Sequence, residues 1–255
     1  MPFDLNFFDK YKGMLTSTRS GVYSDFDCTV LYAAVRESKP SIVVEFSPGR
    51  GRTTSCIAQA LKDNGNNVQY FLFEMNETLL NNAAQFLKQF PNITVVPGTN
   101  IINNPNLDLI NDVDFLMVDS NHDSFLARYY METLFPKVKE AGIIHIHDIY
   151  YNKNNRGWED TGLGYFKSIP GQYMHPELCS EDRLMELYGK DFFNKYYTGK
   201  IDHYEEDEVR DFILRNNIDF YSTKYAAQKL NIPDPAVRDV PSCCSIYFKY
   251  NKDYK

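Results

Sequence analysis

The chain has 255 residues, 43% of them hydrophobic and 15% aromatic, and a formal net charge of −7. This is enough apolar material for a buried core and argues against disorder; the acidic balance, with no Lys/Arg block, argues against a nucleic-acid-binding face. The length suits one α/β domain with an insertion better than two separate domains.

In chain order, residues 1–40 read as a helical, polar-aromatic segment. Its best helix is Asp25–Glu37, with Val30, Leu31, Ala34 and Val35 at helical spacing, ended by Lys39-Pro40. Ser41–Phe46 is a short β-branched run expected as a buried strand. A Gly/Pro turn follows, and helical periodicity resumes over Thr53–Lys62. Val68–Phe73 is expected as a second strand ending at Glu74, Glu77–Phe90 as a helix, and Ile93–Val96 as a third strand. Asp114–Val118 is a fourth strand ending at Asp119. Ser124–Glu140 reads as one long helix capped by Gly142, and Ile143–Ile146 as a fifth strand ending at Asp148.

Strand–helix alternation of this kind gives a parallel sheet with right-handed crossovers, and near-continuous apolar strands are expected where both faces are covered. The alternation stops beyond Tyr150. Residues 151–204 are polar and aromatic, with Trp158 and a glycine-rich stretch, and read as an insertion forming a lid or acceptor-binding segment. Glu205–Asn216 is an amphipathic helix, and strands near Asp219–Thr223 and Ser245–Tyr250 complete the pattern. The expected fold is therefore a Rossmann-like, doubly wound, mostly parallel seven-stranded sheet. Residues 41–150 and 205–255 form its core, with the insertion after strand five.

Cys28, Cys56, Cys179, Cys243 and Cys244 are odd in number and lack a C-x-x-C spacing, which fits neither a zinc cluster nor a disulfide framework. Met1–Lys12 carries Asp4 and Asp9 and no apolar stretch, unlike a signal peptide. No run approaches the roughly 20 apolar residues of a membrane span. A cytoplasmic protein without a membrane partner is expected.

Chemistry concentrates at the strand ends. Ligands of open α/β sheets bind outside the carboxyl ends of the strands, where Glu74, Asp119 and Asp148 gather. Glu45-Phe-Ser-Pro-Gly-Arg-Gly-Arg-Thr53 joins the first strand to the first helix, and its glycines allow a sharp turn and close approach to a ligand. Glu74 follows Gly51 by 23 residues, where dinucleotide folds place an acid on a ribose diol. Thr54 stands where a third glycine would favour NAD.

These motifs, with Met117-Val-Asp-Ser-Asn-His122 and Gly142-Ile-Ile-His-Ile-His-Asp148, resemble the class I S-adenosylmethionine-dependent methyltransferases, and more narrowly their small-molecule and sugar O-methyltransferase branch. That branch shows an E-x-G-x-G-x-G-x-S-T turn, a D-G-x-H loop and a G-G pair leading into a strand that ends in H-D or D-D. The resemblance covers residues 20–150 well and leaves the insertion unmatched. Ser47, followed by Pro48, replaces the usual first glycine of the turn, and Ala141 replaces the first of the G-G pair.

The resemblance implies S-adenosylmethionine as cofactor. Glu45 would help hold its amino-acid end, Ser47, Gly49, Gly51 and Thr53 would form the turn around it, Glu74 would take the ribose hydroxyls, and Thr99 or Asn100 would border the adenine. Asp119 would border the cofactor too. For catalysis it implies either Asp119 and Asp148, with His147, around Mg²⁺ or another divalent cation that polarises a hydroxyl, or His122 as general base beside Asp119. His145 reads as a buried core histidine. The acceptor would be a small molecule, a sugar or other polyol first. Methyl transfer to nucleic acid, protein or amine, and a nucleotide-sugar or NAD-binding protein, stay open as alternatives, as does a homo-oligomer.

Overall fold

The computed structural model describes residues 7–14, 19, 23–102, 104–119, 124–147, 149, 181–197, 205–223, 226–227, 230 and 245–255. Seven strands form one sheet: β1 Ile42–Phe46, β2 Val68–Phe73, β3 Ile93–Gly98, β4 Val113–Val118, β5 Val138–Ile146, β6 Phe220–Ser222 and β7 Ile246–Lys249. Their order is β3-β2-β1-β4-β5-β7-β6. The first five are parallel, and β7 runs antiparallel to both β5 and β6. Pro97, which cannot donate to a ladder, lies in β3 at the sheet edge, where the loss is tolerated.

The helices are α1 Phe7–Tyr11, α2 Asp25–Ser38, α3 Arg52–Asn64, α4 Glu77–Leu87, α5 Ser124–Thr133, α6 Glu181–Tyr188, α7 Lys190–Tyr196 and α8 Glu205–Arg215. Period-two alternation sends β-strand side chains into two cores. Val44, Phe46, Phe71, Leu116, Ile144 and Ile146 pack with α5, α7 and α8. Val43, Tyr70, Leu72, Phe115 and Met117 pack on the other face with α2, α3 and α4. No helix among the described residues is long and apolar enough to cross a membrane.

One expectation is corrected. The helix expected over 124–140 stops at Thr133; a 3₁₀ turn, Phe135–Lys137, contains Pro136, and β5 begins at Val138. Proline removes a helical donor and disfavours helical backbone in the residue before it, so the break falls here. Gly142 is consequently a strand residue rather than a helix cap. A Cβ on it would lie 2.8 Å from the Val113 carbonyl oxygen, so glycine serves close backbone approach.

Of the expected insertion, residues 181–197 are described, and their aromatic side chains pack into the core. Tyr188, Phe192, Phe193 and Tyr196 of α6 and α7 are buried in the α5-side cluster. Phe193 stacks on Phe125 of α5 at 5.4 Å between ring centroids. Arg128 of α5 binds Glu208 of α8 and the carbonyl of Tyr196, tying the three helices together. Residues 151–180, with Trp158, lie outside the described residues.

Candidate active site

The β1–α3 turn is built on left-handed backbone. Ser47 (φ +64°), Gly49 (+51°) and Gly51 (+82°) all have positive φ. Ser47 therefore keeps the conformation that the replaced glycine would adopt without strain. Its N–H donates to the Phe73 carbonyl, and the Gly51 N–H closes the turn onto Pro48. Gly51 is the N-cap of α3 and offers no side chain to cap it, leaving the first-turn N–H groups directed at the turn.

Beneath this turn Glu45 is fully buried. One carboxylate oxygen accepts from Thr53 Oγ1 at 2.6 Å; the other accepts from Thr54 Oγ1 and Tyr70 Oη, both at 2.8 Å. Burial pushes its pKa up to about 7 against the three hydroxyls, which favour the ionised form, and the charge of Asp119 adds to the rise. Glu45 and Thr53, both expected near a cofactor, are hydrogen-bonded to each other in this structure. Together they fasten α3 to β1 and β2.

Glu74 faces the turn. Its Oε2 accepts from the Gly49 N–H at 3.3 Å and its Oε1 from the Asn76 N–H at 3.0 Å. Asn76 is itself the N-cap of α4, accepting from Thr78 and Leu79, so the start of α4 sets the position of the acid. Met75, which the sequence pattern did not single out, leaves apolar surface beside it at 39% exposure. After β3, Thr99 is exposed and the Asn100 side chain accepts from the Ile102 N–H in its own loop.

At the next strand ends, the Asp119 N–H donates to the Phe46 carbonyl and the His147 N–H to that of Val118. These extensions of the ladder bring the two side chains together, with His147 Nδ1 3.2 Å from Asp119 Oδ1. The carboxylate is a quarter exposed and the imidazole almost fully covered. Asp119 offers a hard oxygen suited to Mg²⁺ and His147 a softer nitrogen; among the described residues no group of three or more His, Cys, Asp or Glu could hold a metal. His122 and Asp148 lie outside the described residues.

His145 is fully buried, and desolvation holds its pKa well below the usual range. Two residues of the N-terminal segment reach the same region without having been anticipated. Arg19 Nη1 would stand 3.3 Å from a Cβ on Gly51. Tyr23 lies over His147 and bonds to His145. Neither belongs to a recognisable motif, so only tertiary packing reveals them.

Residues 44–149 match the family model described as a methyltransferase domain. No curated protein matches the chain. Among solved structures, a Staphylococcus aureus protein assigned as a caffeoyl-CoA O-methyltransferase is 12% identical, over 97% of this chain and 92% of that one, with a TM-score of 0.52. An O-methyltransferase from Bacillus cereus in complex with SAH is 11% identical, over 98% and 93%, with a TM-score of 0.50. At such identities these likenesses establish the fold. Residues 44–149, less than half of the chain, thus match a methyltransferase domain, on the Rossmann-like fold that these solved O-methyltransferases share.

Proposed function

We propose that the protein transfers the methyl group of S-adenosylmethionine to a hydroxyl of a small molecule, a sugar or other polyol being the first class to test. The observation that carries this reading is the alignment of Glu74, held on the Gly49 N–H, with the Asp119–His147 pair along one sheet edge. Such an edge provides a ribose acid beside a glycine turn and, two and three strands away from β2, polar groups for an acceptor. The names of the two solved O-methyltransferases support oxygen as the accepting atom.

Transfer from a sulfonium is an in-line displacement. The acceptor oxygen must approach the methyl carbon along the line of the breaking bond and carry added electron density. In this reading Glu74 binds the ribose hydroxyls, the left-handed turn at Ser47–Gly51 receives the amino-acid end, and Thr99 and Asn100 border the adenine. Asp119 orients the acceptor, and His122 takes its proton. A divalent cation would be held by Asp119 and Asp148, with His147 beside them, and would lower the cost of deprotonating the hydroxyl. It is favoured by the partial exposure of the Asp119 carboxylate, of which Oδ1 alone faces His147.

The test is transfer of labelled methyl to a panel of sugars, polyols, phenols, amines, nucleic acids and proteins, after calorimetry has shown S-adenosylhomocysteine binding. Hydroxyl-bearing small molecules should be labelled. Labelling confined to amines, nucleic acid or protein would overturn the acceptor class.

A further inference from the structure

We infer that Tyr23 is a positioning residue for the Asp119–His147 pair, fixing the plane of the His147 imidazole from the N-terminal segment; the inference rests on Asp119 standing in the methyl-transfer site, as proposed. Alternation along β5 places His145 and His147 on the same face, and Tyr23 bridges them. Its ring centroid lies 4.3 Å from that of His147, with 30° between the planes. Its hydroxyl lies 2.7 Å from His145 Nε2 and 3.1 Å from Ser245 Oγ. His145 is itself stacked on Tyr247 at 4.2 Å and 13°.

These contacts make a rigid support. Tyr23 is 3% exposed, and a buried hydroxyl strongly resists losing its partners, so anchoring to both β5 and the residue before β7 holds the ring in place. The backbone at Tyr23 is fixed as well, because Ser24 is the N-cap of α2 and accepts from the Asp27 N–H at 2.9 Å. A histidine χ2 is broad by itself. With Tyr23 against one face of the imidazole, Nδ1 is kept toward Asp119 Oδ1. Tyr23 acts through His147.

Two variants and two readouts test this. Tyr23→Phe keeps the ring and loses the anchor; Tyr23→Leu removes the flat face. We expect kcat to fall about threefold in the first and more than tenfold in the second. KM and the S-adenosylhomocysteine Kd should stay within twofold, a split that general loosening of the fold would not produce. In histidine-labelled protein, the His147 ring signals should move slightly in the Phe variant and strongly in the Leu variant. Wild-type kcat and His147 signals in Tyr23→Leu would overturn the inference. If that variant does not fold, Tyr23→Phe decides, and wild-type values of both readouts there would overturn it. If the wild-type protein methylates no hydroxyl, the proposed function fails instead. The His147 signals then decide the positioning role alone: displacement upholds it and no change rejects it.

Discussion

His147 Nδ1 lies 3.2 Å from Asp119 Oδ1 because β4 and β5 each carry their ladder one residue past the strand end, through the Asp119 and His147 N–H groups. The pair is therefore set by backbone registration, and substituting either side chain should leave the sheet intact. Asp119→Ala is expected to keep wild-type stability to within about 1 kcal/mol, as for partly exposed positions, while losing most methyl transfer. Parallel denaturation and activity measurements check this; a fall in stability without a fall in turnover contradicts it.

His122→Ala should bind S-adenosylhomocysteine normally and turn over about 10²–10⁴-fold more slowly, the usual worth of a general base. Calorimetry and single-turnover kinetics separate the two effects. An active His122→Ala protein would remove the base.

Chelation addresses the cation. Excess chelator should remove most activity, Mg²⁺ or Mn²⁺ should restore it, and Asp148→Asn should behave like the chelated enzyme. Full activity in chelator together with an inactive His122→Ala would leave the histidine to act without a metal.

Glu74→Ala should weaken S-adenosylhomocysteine by about 1–3 kcal/mol, the cost of losing a hydrogen bond to a charged group. Unchanged affinity by titration calorimetry would remove Glu74 from the ribose site and leave it as a brace between Gly49 and Asn76.

Glu45 gives the fold a pH dependence of definite sign. Its folded pKa is about 7 against an ordinary 4.5, so the folded state holds the proton more tightly. The associated stability is complete below about pH 4.5 and is lost as pH rises through 7, amounting to about 3 kcal/mol. Glu45→Gln removes the titration while its neighbouring hydroxyls can rotate to pair with the amide. Denaturation at pH 5 to 8 should show the wild-type curve falling relative to the variant; parallel curves would refute the assignment.

Ser47 and Ala141, the two departures from the glycine pattern, both occupy left-handed backbone, at φ +64° and +62°. An L-residue pays about 1–2 kcal/mol there, and glycine loses about 0.5–1 kcal/mol in chain entropy. Each glycine replacement should thus stabilise by up to about 1.5 kcal/mol. Ala141→Gly should do so without affecting cofactor affinity, whereas Ser47→Gly should change both. A destabilised Ala141→Gly protein would contradict this balance.

Much of this was legible in the chain. Apolar runs ending in Glu74 and Asp119 gave the strands their places, and the Glu45–Thr53 segment gave the turn. The two positive-φ substitutions were visible as missing glycines, though only backbone geometry shows the conformation retained. The inward pairing of Glu45 with Thr53, Thr54 and Tyr70 was not legible, because a strand-end acid has the same spacing whether it faces a ligand or a helix. The break at Pro136 is not visible in the pattern because residues 124–140 carry helical periodicity past a proline. Tyr23 and Arg19 were invisible, since contacts across such sequence distances leave no local pattern.

The placement of β7 between β5 and β6 makes β6 dependent on β7 for its place in the sheet. β6 precedes β7 in the chain, yet β7 is its sheet neighbour, so Phe220–Ser222 reaches the sheet only through Ile246–Lys249, whether the two strands pair before or after β7 docks on β5. That docking closes a long loop and is slow for the same reason that other non-local pairings are. In pulse-labelled hydrogen exchange during refolding, the Phe220–Ser222 amides should gain protection with or after those of β7, and never with the parallel β1–β4 group.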